Sequence, residues 1–378
     1  MPAQKSLPMR PVEPVQSGQA DTADSTPSVW VVTGYRAGER NQVLALGEAL
    51  GWPFELKELA YRRSEFRTSL FRGSDLRGIR LDKSSPLAPP WPDLLISAGM
   101  RNEPVCRWIR AQQGGRTRIV HIGRPWSDAD RFDLVVTTPQ YRLPQHPNVL
   151  QNTLTLHRAT PARLAQEGAR WQAHFASLPG PRTAVILGGN SGPYTLGVKN
   201  ARAIASQVEA HARQRGGSLM ISTSARTSSA VIDVFEREIT VPHVLYRWRP
   251  NDVENPYFGI LALCDDLVVT ADSISMLSEA CATGKPVWMA PLGGYGYPMR
   301  EYRSEPVDFR LSALTNSGLM RWGSRRLSRD IRLVHQRLLE QGRVAWLGEP
   351  AASSTAQSDD MTRAVERVRA LLFQGISD

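Results

Sequence analysis

Gly188-Gly189-Asn190-Ser191-Gly192 directly follows a β-branched and apolar run and precedes a helical pattern. Glycines there let backbone N–H groups cradle phosphate oxygens, and the next helix is expected to present its positive end. The bland alternative is a tight strand-to-helix connection. A second block runs from Thr270 to Glu279. Asp272 or Ser273 is a natural N-cap for the helix that follows, with Ser275 and Met276 in its first turn, and Ser275 and Glu279 four apart on one face. This spacing permits a pyrophosphate at the helix start and a ribose diol against Glu279 one turn further in. Ordinary capping with an exposed carboxylate is the rival reading. A third block holds Thr223, Ser224, Arg226 and Thr227 at the end of another apolar run. Its hydroxyls and guanidinium suit phosphate or sugar hydroxyls. Trp248, between Arg247 and Arg249, is placed to frame a base or simply to pack.

The first half offers Arg36, Gly38, Glu39, Asn41 and Gln42 after its opening apolar run, and Gly99 and Arg101 after a later one. These are read as the acceptor side of a cleft. Glu39 is the candidate general base for an acceptor hydroxyl, although Arg36 and Arg40 offer it simple ion pairing instead. Asp272 and Glu103 are the other carboxylates considered for that role. The chain has no Ser-His-Asp order, Gly-x-Ser-x-Gly elbow or Walker Gly-Lys-Ser/Thr, so hydrolase and P-loop chemistries fit poorly.

Elements that would position these loops follow from the hydrophobic pattern. Strand-like runs at residues 29–33, 94–98, 119–122 and 134–137 alternate with helical patterns around 41–50 and 104–112. A second cycle follows Pro179-Gly180-Pro181: strands at 183–187, 219–223, 244–246, 267–270 and 287–290, with helices at 198–213, 228–237, 256–263 and 275–283. Such alternation signals parallel sheets covered by helices. In a parallel sheet the strand ends converge, so the three loops of the second half are expected to meet in one crevice. The expected division is a disordered tail (1–28), an N-terminal Rossmann-like acceptor unit (29–170), a C-terminal Rossmann-like donor unit (180–348), and a linker with a terminal helix (349–378). Val365, Val368 and Leu371 or Leu372 make one stripe of that helix, which is expected to dock on the first unit. Residues 62–92 are basic and irregular, with an amphipathic helix expected near 65–72.

Across 378 residues, 46 Lys and Arg against 36 Asp and Glu leave a net charge of +10, with arginine far outnumbering lysine. The basic residues are dispersed without aromatic interleaving, so nucleic acid is not an expected partner. An anionic membrane surface suits the charge better, as a peripheral contact. The longest apolar runs fall far short of a membrane span, and residues 1–28 lack the apolar core of a signal peptide. The expected location is therefore cytoplasmic, with the inner face of the membrane as the peripheral variant. Cys106, Cys264 and Cys281 stand apart in apolar surroundings and read as reduced, buried thiols. No His or Cys pair has metal-ligand spacing, and no metal or cofactor is expected beyond a donor substrate.

Taken with Ala37-Gly38 and Asn41-Gln42, Pro92-Asp93-Leu94, Phe132-Asp133-Leu134, Pro147-Asn148-Val149, Asn255-Pro256-Tyr257 and the run Thr270 to Pro286, these blocks have a familiar arrangement. Over roughly residues 29–345 the chain resembles the bacterial branch of the mitochondrial fission ELM family, which is related to GT-B glycosyltransferases. The resemblance implies a GT-B-like α/β fold of two facing Rossmann-like domains, with Glu279 contacting a donor ribose and the glycine turn acting as a second phosphate loop. Relatives carry a histidine where this chain has Glu39. The implied activity is transfer of a sugar from a nucleotide-diphosphate sugar to an envelope glycan or lipid. The alternatives are a non-catalytic adaptor or membrane-associated recruitment protein on the same fold, which plant members of the family exemplify, and a nucleotide-sugar epimerase.

Overall fold

The structure is a computed structural model that describes residues 26–34, 36–62, 73–300, 302–303, 305–324, 328–352 and 358–373. The tail expected at 1–28 falls almost entirely outside the described residues, as does the helix expected near 65–72.

The first unit is built from β1 (Val29–Thr33), α1 (Ala37–Leu50), β2 (Phe54–Glu58), β3 (Leu94–Ala98), α2 (Glu103–Gln112), β4 (Arg118–Ile122), β5 (Leu134–Thr137) and β6 (Val149–Gln151). All neighbouring strands are parallel, in the order β2-β1-β3-β4-β5-β6. Every residue of β1 and β3 is buried, as expected of a sheet covered on both faces. The sheet order reverses direction between β1 and β3, which opens a crevice at their carboxyl ends.

The second unit follows α3 (Pro161–Trp171) and contains β7 (Arg182–Ile186), α4 (Val198–Arg215), β8 (Ser218–Ser222), α5 (Ser229–Glu238), β9 (His243–Tyr246), α6 (Tyr257–Leu263), β10 (Asp266–Thr270), α7 (Ile274–Cys281) and β11 (Val287–Ala290). It ends with α8 (Leu311–Trp322), α9 (Arg332–Glu340) and β12 (Ala345–Trp346). Its strands are also parallel, and read from the far edge they run β9-β8-β7-β10-β11-β12. This is the doubly wound order of a dinucleotide-binding sheet, with its reversal between β7 and β10.

Two segments cross between the units. Residues 161–170, placed in the first unit by the expected division, instead form most of α3, which packs on the second: Trp171, Phe175 and Leu178 join its core, and Gly168 lies against Ala262 of α6. Gly168 and Gly259 permit this close approach, which composition alone does not reveal. In the other direction α10 (Asp360–Phe373) returns to the first unit, with Ala364 and Val368 in one core with Val43 and Leu46 of α1. Asp360 fixes the crossing point by accepting from the Thr153 and Leu154 amides at 3.0 and 2.9 Å. Two parallel α/β units with a terminal helix returning to the first constitute a GT-B-like fold. The three cysteines are buried free thiols.

Candidate functional site

At the reversal point of the second sheet, Gly188 continues from β7 and Asp272 follows β10. The Gly188 amide donates to Thr270 Oγ1 at 2.8 Å, and the Gly189 amide donates to Asp272 Oδ2 at 3.0 Å. The carboxylate of Asp272 is fully buried and paired with Arg226 at 2.8 Å, while Arg226 also donates to the Asn190 carbonyl at 3.0 Å. Ser224 Oγ and Thr227 Oγ1 donate to the Gly188 carbonyl at 2.9 and 2.6 Å. The three loops that the sequence places at separate strand ends are thus one hydrogen-bonded crevice. Glycine is needed at 188, where a Cβ would lie 2.5 Å from the Asp272 carboxylate, and at 189, where it would strike the Arg226 backbone. On the crevice's flank the Trp248 amide donates to Thr223 Oγ1 at 2.8 Å, leaving the indole partly exposed.

Helix α7 begins after Ser273, whose side chain makes no capping bond. Asp272 is likewise turned away, toward Gly189 and Arg226, so neither expected cap closes the helix start. Ser275 and Met276 are half-buried in the first turn. Glu279, which the rival reading would leave exposed, is only 5% exposed. Its Oε2 accepts a 2.6 Å hydrogen bond from the Tyr257 hydroxyl at the start of α6. Burial pushes the Glu279 carboxyl up to about 7, opposed by the Tyr257 bond and by the nearby Arg163 and Arg158. The Tyr257 phenol is itself pushed well up by burial and by the adjacent Glu279.

The helix after the glycine turn does not offer its positive end to that turn. Residues 190–197 intervene before α4, including a bridge between Ser191 and Tyr194. The α4 start is then occupied by the Asp308 carboxylate, which accepts from the Gly197, Lys199 and Asn200 amides at 3.0–3.2 Å. An internal anion holds the place offered to phosphate, and the Gly188, Gly189 and Ser191 amides are taken by Thr270, Asp272 and the Tyr194 carbonyl, which leaves the start of α7 without a side-chain cap.

The first unit contributes its own reversal point. Gly99, at φ +81°, follows β3, and the Glu39 carboxylate from the start of α1 fills the space beside it, where a Cβ would lie 2.5 Å from Oε2. Arg36 pairs with Glu39 at 3.1 Å, and Gln42 Nε2 donates to the Gly38 carbonyl. Asn41 is exposed; Arg101 lies over the Tyr61 ring at 5.8 Å. Gly38 faces Ser275 of α7 across the units, at 3.7 Å from a Cβ position to Oγ. The crevices of the two sheets therefore open toward one another.

The family described as Mitochondrial fission ELM1 matches residues 37–372. The chain belongs to that family. Mitochondrial fission protein ELM1 of Arabidopsis thaliana is 29% identical over 238 residues, which cover 57% of this chain and 55% of the plant protein. The match thus spans just over half of that relative's length. Uncharacterized protein RP120 of Rickettsia prowazekii (strain Madrid E) is 24% identical over 297 residues, 69% of this chain and 82% of that protein. Among solved structures, UDP-GlcNAc 2-epimerase from Neisseria meningitidis, bound to UDP-GlcNAc, is similar at a TM-score of 0.46 and 12% identity, covering 90% of this chain and 99% of that one. ADP-heptose lps heptosyltransferase II of E. coli gives 0.41 and 11%, covering 92% and 99%.

In this ELM1-family chain, sequence reasoning passed over several residues that shape the site. Tyr257 stands within Asn255-Pro256-Tyr257, one of the stretches that carry the family resemblance, so a signal for it existed. Asp308 has no local pattern to mark it, because the amides it caps lie more than a hundred residues earlier.

Proposed function

We propose that the protein is a GT-B-type glycosyltransferase that moves a sugar from a nucleotide-diphosphate sugar to an envelope glycan or lipid, without a metal, at the cytoplasmic face. The observation that supports this reading is the pairing of reversal points: the Gly188–Asp272 crevice of one sheet faces the Glu39–Gly99 crevice of the other. Open α/β sheets bind ligands at such points. In this reading the glycine turn from Gly188 to Ser191, together with Ser275 and Arg226, holds the pyrophosphate and stabilises the departing nucleotide's charge. Glu279 accepts from the ribose diol, Asp272 and Ser273 with Met276 shape the helix start, and Trp248 frames the base. Arg36, Gly38, Asn41, Gln42, Gly99 and Arg101 line the acceptor side. Glu39 is the general base, released from Arg36 when acceptor enters.

A peripheral membrane contact belongs to the same reading. No helix among the described residues is long and apolar enough to cross a membrane. Around α8, however, Phe309, Leu311 and Trp322 are 73%, 69% and 80% exposed, with Leu314 and Leu319 also exposed. Residues 309–322 contain Arg310 and Arg321 and no acid. An apolar surface edged by arginine suits an anionic bilayer.

The test is a calorimetric and thermal-shift screen of UDP, GDP, CDP and CMP sugars against the wild type and Glu279→Ala. Base-selective binding that weakens in the variant supports the donor site. Absence of binding by folded wild type turns preference to the adaptor, and donor turnover without acceptor turns it to the epimerase.

A further inference from the structure

Three guanidinium groups converge where the two units meet, beside the glycine turn. Arg124 follows β4 and Arg142 follows β5 in the first unit; Arg329 precedes α9 in the second. Arg124 Nη1 donates to the Ser328 carbonyl at 2.7 Å and Arg142 Nη2 to Ser328 Oγ at 2.8 Å. Arg329 Nη2 donates to Ser191 Oγ at 2.6 Å, which ties the cluster to the glycine turn. Arg142 takes a left-handed backbone, φ 52°, one of two such non-glycine residues among those described. A long side chain seldom adopts that conformation unless its surroundings hold it there.

Among the described residues, neither Arg142 nor Arg329 pairs with a carboxylate, and Arg142 Nε is buried without an acceptor. Asp330, adjacent in sequence, is committed elsewhere: Arg332 grips both its oxygens at 3.0 Å and the Tyr297 hydroxyl donates to it at 3.1 Å. Burial holds the Arg124 guanidinium below its usual range, opposed by Tyr141, whose ring it overlies at 5.6 Å, while Arg142 and Arg329 each add a smaller downward push. Like charges held together by a fold are stabilised by an anion that bridges them.

We propose that Arg124, Arg142 and Arg329 bind a phosphoryl group carried by the acceptor. A phosphate dianion can accept from several planar guanidinium forks at once, which a neutral sugar hydroxyl cannot. Two of the three arginines come from carboxyl ends of the first sheet, the acceptor side, whereas the donor pyrophosphate is assigned to the glycine turn and α7. The word acceptor rests on the transferase reading; the phosphoryl site does not. The source is either a lipid phosphate or a water-soluble phosphate ester.

Binding of phenyl phosphate, of vesicles containing phosphatidic acid, and of UDP is measured by calorimetry and co-sedimentation for the wild type, Arg142→Gln and Arg329→Gln. The expected result is phenyl phosphate or vesicle binding that falls about tenfold or more in both variants, a loss typical of a charge-assisted bond. Vesicle binding alone identifies a lipid phosphate, and phenyl phosphate binding alone a soluble one. Arg329 is exposed, so its variant keeps the test valid if Arg142→Gln fails to fold. No binding of either phosphate probe by wild type at millimolar concentration, or equal binding in a folded variant, overturns the site. Failure of UDP alone sinks the donor reading and leaves the phosphoryl site to be judged on the phosphate probes.

Discussion

Tyr257 donates its hydroxyl to Glu279 Oε2 at 2.6 Å, joining the first turn of α6 to the last turn of α7 beneath the donor crevice. The bond gives a buried carboxylate one strong donor but does not offset its desolvation, and the group titrates near neutrality. A carboxylate in that condition gains from a second donor. The ribose diol of a nucleotide would supply one, and its binding should draw the Glu279 carboxyl back down.

The first prediction concerns pH. The native state holds the Glu279 proton up to about 7, against an ordinary value of 4.5, so the folded protein binds more protons than the unfolded chain between those limits. Stability contributed at low pH is therefore lost as pH rises through that window, by at most roughly 3 kcal/mol for a single group. Glu279→Gln lacks this loss. Its melting temperature relative to wild type should be higher at pH 8 than at pH 5, as read by calorimetric melting; an unchanged difference would remove the buried carboxylate from the account. UDP affinity of the wild type should rise over the same window, since the diol donates to the ionised form.

The second prediction tests close packing at the glycine turn. A methyl at position 188 meets the Asp272 carboxylate, which is held by Arg226 and the Gly189 amide and cannot withdraw freely. Gly188→Ala should destabilise the protein by about 1–3 kcal/mol, the range for overpacked sites, and weaken nucleotide binding beyond what the stability change explains. Urea unfolding and calorimetry measure the two effects separately. Ordinary stability with ordinary binding would show that the turn yields easily.

Legibility in the sequence differed by the range of the interaction. The fully buried strands β1, β3, β8 and β10 announce themselves as continuous apolar runs, and their loops fall at the carboxyl edge by topology alone. The short, partly exposed edge strand β2, FELKE, carries no such run, because its alternation of apolar and charged residues suits one covered face. Site residues on those loops were legible by type, but their pairing was not. Arg226 reads as a phosphate ligand, yet it also neutralises the buried Asp272. The burial of Glu279 is hidden in the sequence because Tyr257 of α6, which covers it, lies 22 residues earlier. The arginines at 124, 142 and 329 are individually indistinguishable from the many others in a basic chain, and only tertiary folding brings them together.

A third prediction follows from Asp308. Its carboxylate accepts from three amides at the α4 start and from Asn200 Nδ2 at 3.0 Å. Removing a capping carboxylate costs about 0.5–2 kcal/mol, and a group that serves several donors belongs at the upper end. Asp308→Ala should lower stability by that amount in urea. If the helix start is restored as an anion site by the missing carboxylate, added sulfate should recover part of the loss in the variant and none in wild type. Equal responses to sulfate would refute the reading of Asp308 as an internal substitute for a bound anion.

The last prediction addresses the exposed side of α8. Leu319 and Trp322 lie three apart, one helical turn, and both face solvent, with Arg321 over the Trp322 ring at 5.6 Å. Neither contributes to the buried cores, so Leu319→Glu with Trp322→Glu should leave melting temperature within about 1 °C, in keeping with surface substitutions away from packed features. Docking on a bilayer would instead suffer twice, from lost apolar insertion and from added negative charge against anionic lipid. Wild type should co-sediment with phosphatidylglycerol vesicles and the double variant should not, while high salt should weaken wild-type binding only in part because the apolar component is not screened. Complete release by salt would assign the contact to dispersed arginine charge and remove α8 from it.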